Sequence, residues 1–420
     1  MKKYFPIVSI IFSFLFVLAA CSNQAIIDTN SAVIGNAEAD TPEESVTSVH
    51  DNQTKDTSPG QEVTVYEDGN YFYYRELIEI TTTEILGCET GLIDFRSQDG
   101  QRPNITYIDD DLNLYTISTQ TDPTDPNGIV YCELGRYDPD AKEYKAIVKL
   151  DSKNAHGYFL GVSESYIIWK KVYANGKNLL SELHVCDKNG EGDIVFFTDH
   201  INPETGRIYE FNYNPTVIIG DKVYFDAVTG LNDGITEMDV LCYDRITGEV
   251  NVVSNMAKRP VRYLDGIAYL KKGEGTNSRL FSYIDGRESF LMDLAEDTAD
   301  YAFSGDKICR SVYNYEDPNS GKILISSMSI FYGEEEIPLI EGKKSNYTYH
   351  VQSNGEAMIW EITNPEKPVY YDIINDRFVR IDDEEIGYYG SFAGSDFIVF
   401  FTQSDPEDPD SPMRYINIRS

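Results

Sequence analysis

Short apolar runs alternate with polar residues along most of this chain, and tight polar turns separate the runs. Period-two alternation of this kind predicts β-strands, and the Val and Tyr enrichment between Gly and Asp punctuation supports the same reading. One pattern returns seven times: a turn ending in an acidic or small polar residue, then a run through apolar positions to an aromatic one. It occupies residues 111–115, 165–169, 221–225, 265–269, 356–360 and 396–400, with a variant at 306–310 that ends in Arg310. The unit is clearest over residues 214–254, where four strand-like runs follow one another, the last two joined by the turn from Asp244 to Gly248.

The repeats start roughly 40–55 residues apart, a spacing that fits one four-stranded sheet per repeat. The expected fold is therefore all-β, a seven-bladed β-propeller, with six or eight blades as alternatives. The seventh unit has only three strands before the sequence stops, so a strand from residues 62–95 is expected to complete it and cover an exposed sheet edge.

The N-terminus reads differently. Lys2 and Lys3 precede an apolar run over residues 7–17, too short for an ordinary membrane-spanning helix, so residues 1–21 read as a signal peptide. It ends in Leu18, Ala19, Ala20 and Cys21, which resembles the lipobox of bacterial lipoproteins. That resemblance implies lipidation of Cys21, cleavage before it, and a protein tethered outside a cell membrane. Residues 22–61 are polar and free of aromatic residues, the composition of a disordered tether, leaving 62–420 for the propeller. Over that region the repeat style resembles the TolB-like and low-density-lipoprotein-receptor-like propellers of bacterial lipoproteins. The Tyr-Trp-Thr-Asp tetrapeptide of the receptor propellers is absent, so no catalytic residue carries over.

Charge narrows the partners. With 70 acidic residues against 35 basic ones and a net charge of −35, nucleic acid is excluded as a partner. Membrane contact is expected only through the lipid, and the ligand is an unidentified protein, peptide or glycan. Beyond Cys21, the cysteines are odd in number and lack metal-ligand spacing, so they predict neither a disulfide framework nor zinc.

The sequence contains no nucleophile elbow, no H-E-x-x-H and no phosphate loop, and its five His lie at no ligand spacing. The expectation is a non-enzymatic binding or scaffold module without catalytic residues or metal. An extracellular, carboxylate-dependent glycan hydrolase or lyase is the alternative. Residues 187–193 have the oxygen-rich start of a calcium loop, but the matching turn at 244–248 is an ordinary hairpin, so calcium is a minor expectation.

Candidate ligand residues lie on the loops joining second to third strands and one blade to the next, which share one face of a propeller. They are Asp122, Asp125, Asp233 and Asp317 in acidic turns, and Tyr209, Phe211 and Tyr213 on the longest junction. The three rings form either an exposed platform or an extra strand packed on the neighbouring blade. Arg310 stands where the other repeats place an aromatic ring, so it requires a partner: a carboxylate from an adjacent blade or, if it faces the channel, an anionic ligand.

Overall fold

The computed structural model describes the chain from Val65 to Asn417, apart from residues 81–89, 94–103, 316–322, 403–412 and shorter stretches. Cys21 and the segment 1–61 lie outside the described residues. All described regular structure is β, as the alternating pattern dictates. The described strands form seven sheets, numbered here in chain order and spanning residues 104–150, 155–198, 217–254, 257–294, 298–342, 348–381 and 386–417. Each is an antiparallel meander. The first strands of sheets one to six, from Asn104–Ile108 to Thr348–Ser353, pack against one another in succession. This radial succession of meanders is a β-propeller.

The repeat's aromatic position is buried as its pattern requires. Tyr115, Trp169, Phe225 and Tyr269 are all 2% exposed or less, each on the second strand of its sheet. One face of that strand packs on the preceding sheet and the other on the next. In the strand Lys222–Asn232, for example, Val223, Phe225 and Ala227 join Tyr166, Ile168 and Leu183 of sheet two. Tyr224, between them, joins Ala257, Ile267 and Tyr269 of sheet four.

Closure follows the expected logic. Thr90–Ile93 pairs antiparallel with Met413–Asn417 and supplies the fourth strand of sheet seven. The sequence does not reveal two further additions by the same N-terminal region. Tyr71–Tyr73 pairs with Glu335–Gly342 at the outer edge of sheet five, and Glu76–Ile80 runs parallel to Arg377–Ile381 on sheet six. The chain thus covers three successive outer edges before its first complete sheet begins.

A polar feature repeats within the sheets. In sheets two, four and five the second-strand motif residue meets a carboxylate at the same register position, at or just before the fourth strand. Trp169 Nε1 donates to Asp193 at 3.0 Å, the Tyr269 hydroxyl donates to Glu288, and Arg310 donates to Glu336. His184 stacks on Trp169 at 3.8 Å between centroids, and its Nδ1 lies 2.9 Å from Asp193.

Arg310 is 9% exposed. Its Nε and Nη2 reach Glu336 Oε1 at 2.9 and 2.7 Å, Nη2 reaches Oε2 at 2.8 Å, and Nη1 donates to Thr298 at 3.3 Å. The expected partner exists, but the expected location needs correction: Glu336 and Thr298 belong to Arg310's own sheet, not to an adjacent one. The long guanidinium lies along the sheet and takes the carboxylate that a Tyr or Trp would take.

The described cysteines Cys132, Cys186, Cys242 and Cys309 are free. Burial pushes the Cys132 and Cys242 thiols up to about 11, far from reactive thiolates.

Candidate functional site

The junction between sheets two and three is where the chain departs from its repeat. Residues 199–214 do not cross as a plain loop. His200–Ile201 pairs with Ile208–Phe211 as a hairpin, and Glu210 and Phe211 then pair with Val228 and Ala227. The opposite end of the same strand pairs with Val217–Ile219. The innermost strand of sheet three is therefore built in two pieces, and the hairpin sits at the end that leads into the second-to-third-strand turn, on the face where ligands were expected.

Alternation fixes which way its side chains point. Phe211, opposite Ala227, is 3% exposed and packs in the core shared with sheet two. It is thus no exposed platform: the extra strand packs its ring against Phe225, 6.2 Å away between centroids. Glu210, opposite Val228, faces sheet four together with Asp226, two residues back on the neighbouring strand. Diagonal neighbours of this kind have Cα atoms about 7–8 Å apart.

Asp199 lies near both Lys170 and Glu210 at this hairpin, and Asp226 lies on the strand the hairpin joins. Asp199, just before it, accepts the Phe211 N–H through Oδ1 and the Ser181 N–H through Oδ2, both at 2.7 Å. Burial nevertheless holds its carboxyl above the ordinary value, opposing those bonds and the nearby Lys170 charge. Solvent reaches Glu210, yet crowding disfavours its charged form, and the charge of Asp199 pushes its proton affinity up further. Asp226 is fully buried and accepts the Arg259 N–H at 2.8 Å. Lys170 is 4% exposed, with its ammonium 5.1 Å from the Tyr158 ring and 5.2 Å from the Phe211 ring. Buried ammonium groups are costly, and the two ring faces offset part of that cost.

Neither Lys170 nor Asp226 stands out in the linear pattern, but a signal exists. Both directly follow the repeat's aromatic residue, a position that turns toward the next sheet and holds Thr116, Leu270 and Ser311 elsewhere. Charge at this repeat position therefore draws attention to Lys170 and Asp226, although Glu361 follows Trp360 in the same way.

The other expected residues are not gathered there. Asp122 and Asp125 pair across the tip of a hairpin in sheet one. Asp233, Asp317 and Tyr213 lie outside the described residues, and Tyr209 is placed on the hairpin strand by its backbone. The loop 187–193 closes as a turn, with Asp187 Oδ1 accepting N–H groups from Asn189 at 2.7 Å and Glu191 at 2.9 Å. Among the described residues, no three His, Cys, Asp or Glu are placed to share a metal ion.

No family model matches the chain, and no curated protein matches it. Solved structures resemble it in fold. An oligogalacturonate lyase in complex with manganese is 13% identical with a TM-score of 0.47, over 78% of this chain and 96% of that one. The β-propeller domain of the Trilobed protease from Pyrococcus furiosus is 11% identical with a TM-score of 0.41, over 74% and 91%. A prolyl endopeptidase is 10% identical with a TM-score of 0.46; the match covers 71% of this chain and 46% of that enzyme. The class is thus a β-propeller, and at these identities the likeness concerns the fold alone.

The expectation of a non-enzymatic module needs correction. Proteins named as a lyase and as peptidases stand among these structures, so the architecture does not speak against catalysis. Within this chain, burial and then the Asp199 charge raise the proton affinity of Glu210.

Proposed function

We propose that this protein is a carboxylate-dependent enzyme that cleaves a glycan, by hydrolysis or elimination, while held outside a cell membrane through a lipid on Cys21. The observation that carries the reading is the Asp199–Glu210 pair, two interacting carboxyls with raised proton affinity on the loop face. Both reaction types require a proton for the departing glycosidic oxygen and a base for the proton removed, from water in one case and from a sugar carbon in the other. Glu210, accessible and inclined to hold its proton, suits the donor. Asp199, fixed by two N–H groups and near Lys170, suits the group that stays charged.

The test is incubation of the purified chain with a panel of neutral and acidic polysaccharides. Reducing ends report either cleavage, and ultraviolet absorbance reports the unsaturated product of elimination. Cleavage that disappears in Glu210→Gln, with the fold retained, is the expected result. Full activity in that variant, or no cleavage of any substrate, overturns the reading. Fatty-acid labelling tests the anchor: the wild type is expected to be labelled and Cys21→Ala to remain unlabelled.

A further inference from the structure

The outer edge of sheet two is unlike those of the other sheets. N-terminal strands cover the outer edges of sheets five, six and seven. The outer strands of sheets one, three and four carry charged residues, among them Lys145, Glu249 and Glu288. Ile194–Thr198, the outer strand of sheet two, carries none, and its Ile194 and Val195 are exposed. Charge on an edge strand discourages other chains from settling there, so an apolar, uncharged edge is a receptive one.

The crevice between sheets two and three opens at the same margin, and two cavities of about 450 and 380 Å³ lie along it. Ile194 and Tyr243 line the first, and Phe196, Leu241 and Val252 line the second. Phe196 stacks on Tyr243 at 4.3 Å between centroids, so the two cavities are consecutive along one groove. Ile194 and Val252, one from each sheet, are 56% and 51% exposed, which leaves both apolar walls open to solvent. Consecutive cavities suit an extended chain whose side chains enter in turn better than one compact small molecule.

The groove is acidic at one end. Asp187 and Glu191 line the first cavity, and among the described residues no cation pairs with either carboxylate. Asp187 Oδ1 is occupied by the N–H groups of Asn189 and Glu191. Arg245, the cation at this cavity, is already held by Asp221 at 2.7 Å and lies over the Tyr166 ring.

We infer that this crevice docks an extended segment of a partner protein, its apolar side chains entering the two cavities and a basic residue meeting Asp187 and Glu191. Net charge favours this occupant over a second copy of the chain, since −35 on each copy opposes self-association and attracts a cationic segment. The inference does not depend on the proposed catalysis.

The test is titration of the full chain with the dye-labelled peptide Lys-Arg-Ser-Leu-Ser-Leu-Ser-Lys-Arg, read by fluorescence anisotropy. Basic residues at both ends allow either chain direction. One counterpart has Glu in place of every basic residue, and another has Ser in place of both Leu. Saturable binding of the first peptide is expected, at least tenfold tighter than that of either counterpart. Val252→Glu places a charge in the apolar wall and Glu191→Lys reverses the acidic end; each is expected to weaken binding at least tenfold. Should Val252→Glu fail to fold, Ile194→Glu makes the same test from the opposite wall. Absence of saturation overturns the inference, as does unchanged binding in the wall variant. Equal binding of the Leu-free counterpart would mean attraction by bulk charge alone and overturns it too. Sedimentation decides the remaining case: a wild-type dimer that Val252→Glu disperses would give the crevice to a second copy and refute a basic partner.

Discussion

Arg310 and Lys170 are both buried cations on second strands, one at the repeat's aromatic position and the other directly after it, and their surroundings differ in kind. Arg310 has a two-point carboxylate, a threonine hydroxyl and the Phe331 ring 5.2 Å away, all from its own sheet. Lys170 lies between two rings, and the carboxyls beyond it have raised proton affinity instead of lowered. The first arrangement resolves its electrostatics locally and holds a sheet together. The second sets a cation between aromatic rings and near a carboxyl that burial keeps above its ordinary proton affinity, the kind of shift that the proposed proton transfer would use.

The largest expected effect tests the structural side of that contrast. Arg310→Met removes one partner of a mostly buried pair, leaving Glu336 with the Ser329 hydroxyl and Thr298 without the guanidinium donor. A fully buried pair loses 3–5 kcal/mol in this way, and with Glu336 38% exposed the expected loss is about 2 kcal/mol. Denaturant unfolding measures it. A loss below about 0.5 kcal/mol would place the pair among ordinary surface ion pairs and erase the contrast with Lys170.

The same contrast shows what the sequence reveals. Period-two alternation and the recurring turn expose the strands, the phase of each sheet and the closing strand, because those depend on neighbours in sequence. It even exposes the need for a partner at Arg310, since an arginine in an aromatic row is a local inconsistency. Which carboxylate answers it depends on cross-strand register, and Glu336 is reached only through Phe331 and Ile308. The site is harder still. Asp199 and Glu210 come together, with Glu210 on the strand next to Asp226, because a junction folds into a hairpin and completes an inner strand, a pairing set by tertiary contacts. The aromatic alternation at Tyr209 and Phe211 announces a strand there without stating which face is buried.

A smaller effect concerns Lys170. In Lys170→Met an unbranched side chain still fills the slot between Tyr158 and Phe211, so stability is expected to change little. Asp199 loses the cation that opposes its raised proton affinity; the Ser181 and Phe211 N–H groups, Glu210 and the Tyr173 hydroxyl remain near it. The Asp199 carboxyl is therefore expected to titrate at higher pH, visible in carbon NMR of labelled aspartate. An unchanged titration would show that Lys170 serves packing alone.

The smallest effect follows from the sign of the Glu210 shift. Its folded-state proton affinity lies above the unfolded value, so the folded protein binds more protons than the unfolded one between the two pKa values. Stability contributed by this group is therefore present in acid and falls as pH rises through that window, above which the wild type carries the penalty of an ionised, crowded carboxylate. Glu210→Gln has no charge to penalise. The variant is expected to be slightly more stable than wild type at neutral pH and to converge with it below the ordinary range for glutamate. Paired denaturant midpoints across that range measure the difference. Asp199 must remain in place throughout, since Asp199→Asn would disturb the N–H groups of Ser181 and Phe211 and mix a structural loss into the electrostatic gain. A Glu210→Gln variant less stable than wild type at neutral pH would show that Glu210 makes a favourable ionic contact, and the division between a resolved cation in sheet five and an unresolved cluster at the hairpin would fail.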